Sequence, residues 1–227
     1  MEWFTDNRGD IFRSFVFTVE MVVAAGVIAL VVGSVLAALR VSPIPLARGI
    51  GTVYVYTVRN TPLLLIMLLF AFGLPNLDIR PEVDLGAADV LNFNVFFIFA
   101  TAALGLYTAA FVCEALRSGI NSIPLGQAEA ARAIGLPFSQ TLRVVILPQA
   151  FRAVVQPVAS ALIAMIKNSA IAVGVGVTEM GFMMKKLTND YTSSIWEIFI
   201  AFALAYMFLV AIVATVAALF ERKFRVA

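Results

Sequence analysis

Five apolar blocks, each long enough to cross a lipid bilayer, constrain the fold of this chain more than any other feature. A bilayer core about 30 Å thick needs about 20 helical residues to span it. Backbone polar groups inside that core must be hydrogen-bonded within the protein, which only helices or closed barrels achieve. The blocks lie at 17–39, 54–74, 93–116, 153–177 and 195–220. We therefore predict an all-α integral membrane protein with five transmembrane helices, organised as a single domain over residues 1–227.

The composition supports this class and excludes several functions. Of the 227 residues, 62% are hydrophobic and 13% are charged, whereas a soluble domain carries about 25% charged residues. The net charge is only +2, and the lysines and arginines are dispersed, so nucleic acid is not an expected partner. Histidine is absent and Cys113 is the one cysteine. Neither a catalytic residue set nor a metal site is therefore predicted.

The placement of basic residues predicts the orientation in the membrane, because positively charged loops favour the cytoplasmic side. With the N-terminus outside, nine lysines and arginines lie in cytoplasmic segments and five lie outside. The external side then also holds an acidic loop that contains Asp78, Glu82, Asp84 and Asp89. We expect an extracytoplasmic N-terminus, a cytoplasmic C-terminus and a large cytoplasmic loop at 117–152.

This loop has the local chemistry of two short helices rather than of a flexible connection. The alanine-rich stretch 127–134 favours a helix, Gly135 can end it in a left-handed conformation, and Pro137 suits the first turn of a second helix. We predict a rigid helix–turn–helix protrusion at the cytoplasmic surface. The alternative is an ordinary amphipathic surface helix.

Ionisable side chains within the apolar blocks are candidates for function, because each costs roughly 2.5–3.5 kcal/mol at the centre of a membrane helix. Lys167 is the deepest of them. Together with Asn168 and Ser169, it could contact a carboxylate in a translocation path. The alternative for Lys167 is an internal ion pair with Glu114 or Glu20 that holds helices together.

Further polar residues lie near the cytoplasmic ends of the blocks. Arg59, Asn60 and Thr61 precede a proline that disfavours helical geometry just before it, so they could form a broken turn that lines the path. The alternative for Arg59 is a side chain that extends to the cytoplasmic interface. Glu114 could contact substrate, but an ion pair with Arg117, three residues later on the same helix face, is the favoured interpretation.

The protrusion resembles the EAA loop of ABC-importer permeases. It contains Glu-Ala-Ala, then a glycine, then Leu-Pro, at the spacing of that loop. The residues that carry the resemblance are Gly126, Glu129, Ala130, Ala131, Gly135, Val145, Leu147 and Pro148. Val145 stands where the family usually has isoleucine. The segments 57–63, 107–120 and 167–179 are similar to motifs of the polar amino-acid subgroup, the histidine, glutamine and glutamate permeases, and look closest to actinobacterial glutamate-uptake permeases.

The resemblance implies a type I ABC-importer permease fold in the bacterial cytoplasmic membrane. It also implies ATP-driven import of a polar amino acid by alternating access, with glutamate or aspartate favoured and glutamine or another polar or basic amino acid as the alternative. The implied partners are two ATP-binding subunits, a second permease subunit, identical or homologous, and an extracytoplasmic amino-acid-binding protein.

The energy source also follows from the resemblance. The chain has no G-x-x-x-x-G-K-[ST] phosphate-binding loop, so we expect no enzymatic activity and no cofactor bound by this chain. ATP and magnesium would bind the partner ATPase, and the protrusion would dock into it. A secondary transporter or channel that works without an ATPase is the alternative of a different class.

Overall fold

A computed structural model describes residues 2–79 and 95–224 of the chain. All regular elements within these ranges are helical, which confirms the predicted all-α class. In chain order the helices are α1 (Glu2–Val41), α2 (Pro45–Arg59), α3 (Leu63–Asn76), α4 (Val95–Asn121), α5 (Leu125–Ala133), α6 (Leu147–Asn168), α7 (Met180–Asp190) and α8 (Ile195–Phe224). Two short helical segments lead directly into α6: an α-helical turn at Phe138–Gln140 and a π-helical turn at Thr141–Ile146. A 3₁₀-helical segment at Ser169–Val175 continues α6 at its other end.

Four of the predicted spans have a matching helical segment that is long and apolar enough to cross a membrane. These segments are Glu2–Val41, Val95–Asn121, Ala153–Val175 and Thr192–Arg222. Three of these segments continue past the predicted apolar blocks, and α1 begins at Glu2 rather than at residue 17, whereas the remaining segment ends at Val175, two residues before the predicted end. Residues 93–94 of the third predicted span, and the acidic loop apart from Asp78, lie outside the described residues.

The second predicted span, 54–74, corresponds to two helices separated by a break rather than to one straight helix. Helices α2 and α3 meet at an angle of 104°, and together they form a bent fifth candidate span. Pro62 explains the break, because proline has no N–H to donate and pushes the preceding residue out of helical geometry. The helical backbone is therefore interrupted between Arg59 and Leu63.

The helical bundle is built on close packing between α1 and α4. Helix α4 also packs against α6, which packs against α8. A Cβ atom on Gly33 would lie 2.7 Å from Val112 Cγ1, and one on Gly105 would lie 2.7 Å from Ile28 Cβ. Small residues allow membrane helices to approach closely. These two glycines therefore fix how near α1 and α4 come to each other.

The segment 178–194 between the fourth and fifth spans carries two lysines and Asp190, and it contains helix α7, which begins at Met180 and ends at Asp190. Its apolar side does not lie on the surface, however. Met180, Met183 and Leu187 are buried in a cluster with Ile166 of α6 and side chains of α8. Helix α7 is thus part of the core of the bundle.

Candidate functional site

The turn after α5 has the left-handed glycine that the sequence predicts. Gly135 has φ +87°. Its N–H donates to the carbonyl of Arg132 at 2.9 Å, and the N–H of Leu136 donates to the carbonyl of Ala131 at 3.1 Å. This pair of bonds is the Schellman arrangement that ends helices at a glycine. It satisfies two carbonyls at the end of α5 and fixes the direction in which the chain leaves.

The second helix of the protrusion is the beginning of the long helix that contains α6. The backbone remains helical from Phe138 to Asn168, with a π-helical turn at Thr141–Ile146. Pro137 lies just before the first helical residue, with φ −66° and ψ 162°, rather than in the first turn as expected. The second helix of the protrusion and the fourth span are therefore one continuous helical segment.

The protrusion exposes both motif residues and large apolar side chains. Ala131 is only 4% exposed and packs α5 against the rest of the chain. Among the other motif residues, Val145 is half-buried and the exposed ones are Gly126, Glu129, Ala130, Gly135, Leu147 and Pro148. Leu125 and Ile134 are each 79% exposed. Exposed apolar side chains are compatible with docking to another protein, and the docking of this protrusion stays a prediction.

Glu114 of α4 is bound by arginines from three segments of the chain. Arg40 of α1 donates a short hydrogen bond to its Oε1, and Arg117 Nη2 lies 3.2 Å from Oε2. Arg59 Nη1 lies 3.7 Å from Oε1, and its guanidinium stands over the ring of Phe111 at 5.4 Å. The predicted Glu114–Arg117 pair is present. Sequence reasoning missed Arg40 and Arg59 as partners, because their contacts depend on how α1, α2 and α4 pack.

The polar residues at the α2–α3 break are bonded to the end of α2. Asn60 Nδ2 donates to the carbonyl of Tyr56 at 2.7 Å, and Thr61 Oγ1 donates to that of Thr57 at 2.9 Å. The Thr61 hydroxyl thereby satisfies a carbonyl near the end of the interrupted helix, whereas the carbonyl of Tyr56 also accepts the N–H of Asn60 at 3.3 Å. The broken turn is as predicted, and its role in lining a path stays a prediction.

Lys167 is exposed, and among the described residues it forms no ion pair. The next two residues differ from it, because Asn168 is half-buried and Ser169 is fully buried. The Ser169 hydroxyl donates to the carbonyl of Ile166 at 2.8 Å. Of the three predicted path residues, Lys167 is thus the one whose side chain is open to a partner outside the subunit.

The two carboxylates considered as internal partners of Lys167 do not pair with it. Glu114 is too far from Lys167, as their neighbours on α1 show. Met165, two residues before Lys167, lies beside Gly26 of α1, whereas Glu114 binds Arg40 of the same helix. These positions on α1 are 14 residues apart, which corresponds to about 21 Å along the helix. Glu20 Oε2 is buried without a hydrogen-bond partner. The alternative of an internal ion pair is therefore wrong for the structure described here.

The exposed face of the fourth span carries polar side chains and one small side chain. Gln156, Ser160, Ala164 and Lys167 are all exposed, and their spacing of three or four residues puts them on one side of α6. Gln156 Nε2 also donates to Glu221 Oε2 of α8 at 2.6 Å. Sequence reasoning missed Gln156 and Ser160. The helical spacing of polar residues within an apolar block is the signal that could have identified them.

Glu179 forms a second buried polar centre, between the fourth and fifth spans. Its carboxylate accepts hydrogen bonds from the N–H groups of Gly181 and Phe182 at the start of α7, at 2.7 and 2.9 Å. Beside it, the N–H of Met180 donates to Thr18 Oγ1 of α1 at 3.0 Å. Burial raises the pKa of Glu179, and the hydrogen bonds to the carboxylate act in the opposite direction. These bonds connect α1 with the first turn of α7.

Within residues 2–79 and 95–224, no group of three or more histidine, cysteine, aspartate or glutamate side chains is placed to hold a metal ion. The polar centres at Glu114 and Glu179 each contain a single carboxylate, and their partners are hydrogen-bond donors. Such arrangements hold helices in position.

Comparison with known proteins relates this arrangement to a family. Residues 16–226 match the family described as the binding-protein-dependent transport system inner membrane component. The chain is 42% identical over 199 residues, 86% of each chain, to the glutamate transport system permease protein GluC of Corynebacterium efficiens. It is 38% identical over 222 residues to the glutamate/aspartate import permease protein GltJ of Escherichia coli K12, which covers 97% of this chain and 89% of that one.

A solved structure shares the fold. The crystal structure of an amino acid ABC transporter with histidines matches this chain with a TM-score of 0.80. The two are 26% identical, and the match covers 96% of both chains. The arrangement of bent and straight helices is therefore that of a type I ABC-importer permease.

Proposed function

This chain belongs to the family of binding-protein-dependent transport system inner membrane components, and from that premise we propose that it forms the membrane path of an ATP-driven importer of glutamate, with aspartate as a second substrate. As a member of this family it is a multi-pass protein of the inner membrane. The names of two relatives, a glutamate and a glutamate/aspartate permease, support the choice of substrate.

The partners that we propose follow from the exposed surfaces of the chain. The apolar side chains of the protrusion, such as Leu125 and Ile134, fit a cleft of a cytoplasmic ATP-binding subunit. Two such subunits would hydrolyse ATP, and an extracytoplasmic binding protein would deliver the amino acid. In this orientation the N-terminus lies outside and the C-terminus inside. Two permease subunits, identical or homologous, would enclose the path.

The exposure of Lys167 is the observation that carries the proposed path. A lysine that faces lipid near the middle of a membrane helix costs roughly 2.5–3.5 kcal/mol. Lys167 is exposed on this subunit and shares its helix face with Ser160 and Gln156. This cost is avoided if the face lines a water-filled path against a second permease subunit. We therefore assign the exposed polar face of α6 to the path.

An acidic amino acid suits this face chemically. Lys167 offers an ammonium group to a substrate carboxylate, and Ser160 and Asn168 offer hydrogen-bonding groups within a few turns of it. Glu114 has a different role in this proposal, because arginines already occupy both of its oxygens. We assign Arg59 to the same structural cluster, and keep Asn60 and Thr61 as residues of the break that borders the path.

The continuous helix suggests how ATP hydrolysis is coupled to transport. Closure of the two ATPases would displace α5 and the residues that follow Gly135. The helix that begins at Phe138 reaches Lys167 without a loop between them. Movement of the protrusion would therefore change the position of the polar face, so that the path opens alternately to the two sides of the membrane.

The experiment that tests this function is reconstitution into liposomes with and without the ATPase and the binding protein. We expect uptake of labelled glutamate that requires ATP and all partners, and competition by aspartate that exceeds competition by glutamine or arginine. Uptake by the chain without an ATPase would instead establish a secondary transporter. Competition by glutamine alone would overturn the proposed substrate while leaving the importer assignment in place.

A further inference from the structure

A cavity of about 580 Å³ lies between the protrusion and the ends of α1 and α4, away from the polar face of α6. Its walls combine three arginines with apolar side chains, and the residues relevant to its chemistry are Arg40, Arg117, Arg132, Ile120, Phe138 and Leu142. In the orientation of the proposed function, on which this part of the inference rests, the cavity is at the cytoplasmic surface of the membrane.

The cavity has more positive than negative charge. Arg40 and Arg117 both bind the carboxylate of Glu114, which Arg59 also approaches. Arg132 Nε donates only to the carbonyl of Ala128 in its own helix, at 3.3 Å. Among the described residues, no carboxylate other than Glu114 lies within 4.0 Å of a charged nitrogen of these arginines. One negative charge therefore faces several positive charges.

The burial of Arg40 makes this imbalance costly. Its side chain is only 13% exposed, and a buried charge is stable only when it is paired and hydrogen-bonded. Arg40 must share its single carboxylate with Arg117, whose side chain is 37% exposed, and with Arg59. An additional anion in the cavity would relieve the repulsion between these guanidinium groups.

The apolar part of the wall indicates what kind of anion fits. Phe138 is 58% exposed, and it lines the cavity together with Ile120 and Leu142. A small soluble anion would leave these side chains in contact with water. A phospholipid supplies a phosphate for the arginines and glycerol and acyl carbons for the apolar wall. Basic pockets between membrane helices on the cytoplasmic side bind anionic lipid headgroups in this way.

We propose that this cavity binds the phosphate headgroup of an anionic phospholipid from the cytoplasmic leaflet. The lipid joins the arginine cluster around Glu114 to α5, because Arg132 on α5 faces the same space as Arg40 and Arg117. It thereby holds the protrusion against the ends of α1 and α4. The chemical class is a phosphodiester with an anionic headgroup, such as phosphatidylglycerol.

The test is native mass spectrometry of the purified transporter complex, titrated with phosphatidylglycerol or with phosphatidylcholine of the same acyl chains. We expect selective retention of phosphatidylglycerol. Arg132→Gln should weaken its apparent affinity roughly fivefold, which corresponds to about 1 kcal/mol per basic residue near a membrane surface. Arg143→Gln is the matched control, because Arg143 is exposed on the adjacent π-helical turn and does not line the cavity.

A second pair of variants tests the site without removing an arginine. Ala128 lines the cavity, so Ala128→Glu introduces a negative charge there, whereas Ala133→Glu places the same charge on α5 at an exposed residue that neither lines the cavity nor belongs to the docking motif. Only Ala128→Glu should abolish selective lipid retention. Equal effects within either pair would overturn the proposal, as would equal retention of the two lipids.

Inorganic phosphate distinguishes the two sources of the anion. If millimolar phosphate leaves bound phosphatidylglycerol in place, the lipid assignment is supported. If phosphate binds and displaces the lipid, the site takes a soluble anion and the lipid assignment is wrong. These readouts do not depend on transport, so a failure of the proposed amino-acid import would leave them interpretable.

Discussion

The hydroxyl of Tyr206 on α8 donates a hydrogen bond of 2.8 Å to the carboxylate of Glu179, the buried residue that precedes α7. The same carboxylate accepts two N–H groups from the first turn of α7. A single acidic side chain thus links α7 to α8 by hydrogen bonds, in addition to the apolar contacts between the two helices. This arrangement gives Glu179 and Tyr206 a structural role that can be tested separately from transport.

We expect Tyr206→Phe to lower the melting temperature of the detergent-purified protein. Hydrogen bonds to charged groups contribute about 1.5–3 kcal/mol, and the substitution leaves a buried acceptor with one donor fewer. Tyr56→Phe is the control, because Tyr56 is 74% exposed. A double-mutant cycle with Glu179→Gln should show coupling between the two positions. Equal melting temperatures for the two tyrosine variants would contradict this role.

The pKa of Glu179 predicts how stability depends on pH. Because burial raises this pKa above 4.5, the folded protein takes up a proton at Glu179 before the unfolded chain does. Burial of the charged carboxylate lowers the stability of the folded protein at pH values above this raised pKa. This loss of stability disappears as the pH falls through the raised pKa and the carboxylate is protonated. Wild type should therefore gain stability relative to Glu179→Gln as the pH falls from neutral through the raised pKa of Glu179. Parallel melting curves across this range would refute the prediction.

We expect Gly135→Ala to weaken association with the ATPase. Gly135 has φ +87°, where a residue with a Cβ atom costs about 1–2 kcal/mol. Gly9→Ala is a matched control outside the protrusion, since a Cβ on the exposed Gly9 of α1 would meet no atom within 4 Å and its φ is not in the left-handed region. Co-purification measures the effect. Gly135→Asn should retain more ATPase than Gly135→Ala, because asparagine tolerates this conformation.

Glu114→Gln should destabilise the protein more than Arg59→Gln. Loss of the carboxylate leaves the guanidinium of Arg40, only 13% exposed, without its anionic partner. Arg59 is 44% exposed and lies 3.7 Å from Glu114, so its pair contributes at most about 1 kcal/mol. Thermal melting in detergent compares the two variants. A larger loss for Arg59→Gln would show that the cluster is organised differently.

Lys167→Gln should reduce glutamate uptake by roughly ten-fold or more, since a charge-assisted hydrogen bond contributes about 1.5–3 kcal/mol. Assembly with the partners should be unchanged, because Lys167 is exposed and forms no ion pair with another described residue. Lys185→Gln, which alters an exposed lysine of α7, is the control. Uptake at the wild-type rate by Lys167→Gln would remove Lys167 from the path.

The features that could be predicted from sequence are those that depend on local chemistry. Four apolar blocks became long helices because a membrane segment must satisfy its own backbone. The left-handed Gly135 followed from its place after an alanine-rich stretch. The break before α3 could be anticipated from the proline after Thr61, but the 104° angle could not, because neighbouring helices determine how far such a break opens.

The features that escaped prediction depend on contacts between distant parts of the chain. Arg40 meets Glu114 only because α1 and α4 pack closely where glycines allow it. Glu179 and Tyr206 are separated in sequence by a helix and a turn, and no local sequence pattern predicts their hydrogen bond. The exposure of Lys167 could not be foreseen either, since a single span does not reveal which of its faces the neighbouring helices cover.

The uninterrupted helix from Phe138 to Lys167 has a mechanical consequence. Its length is about 44 Å at 1.5 Å per residue, so a tilt of about 5° at one end shifts the other by about 4 Å. Pro148 and Pro157 both lie inside this rod, and neither has an N–H to donate to its internal hydrogen bonds, which makes these two points softer than the rest. In the proposed function, the stiffness at these two prolines therefore sets how much of a displacement of the protrusion reaches Lys167.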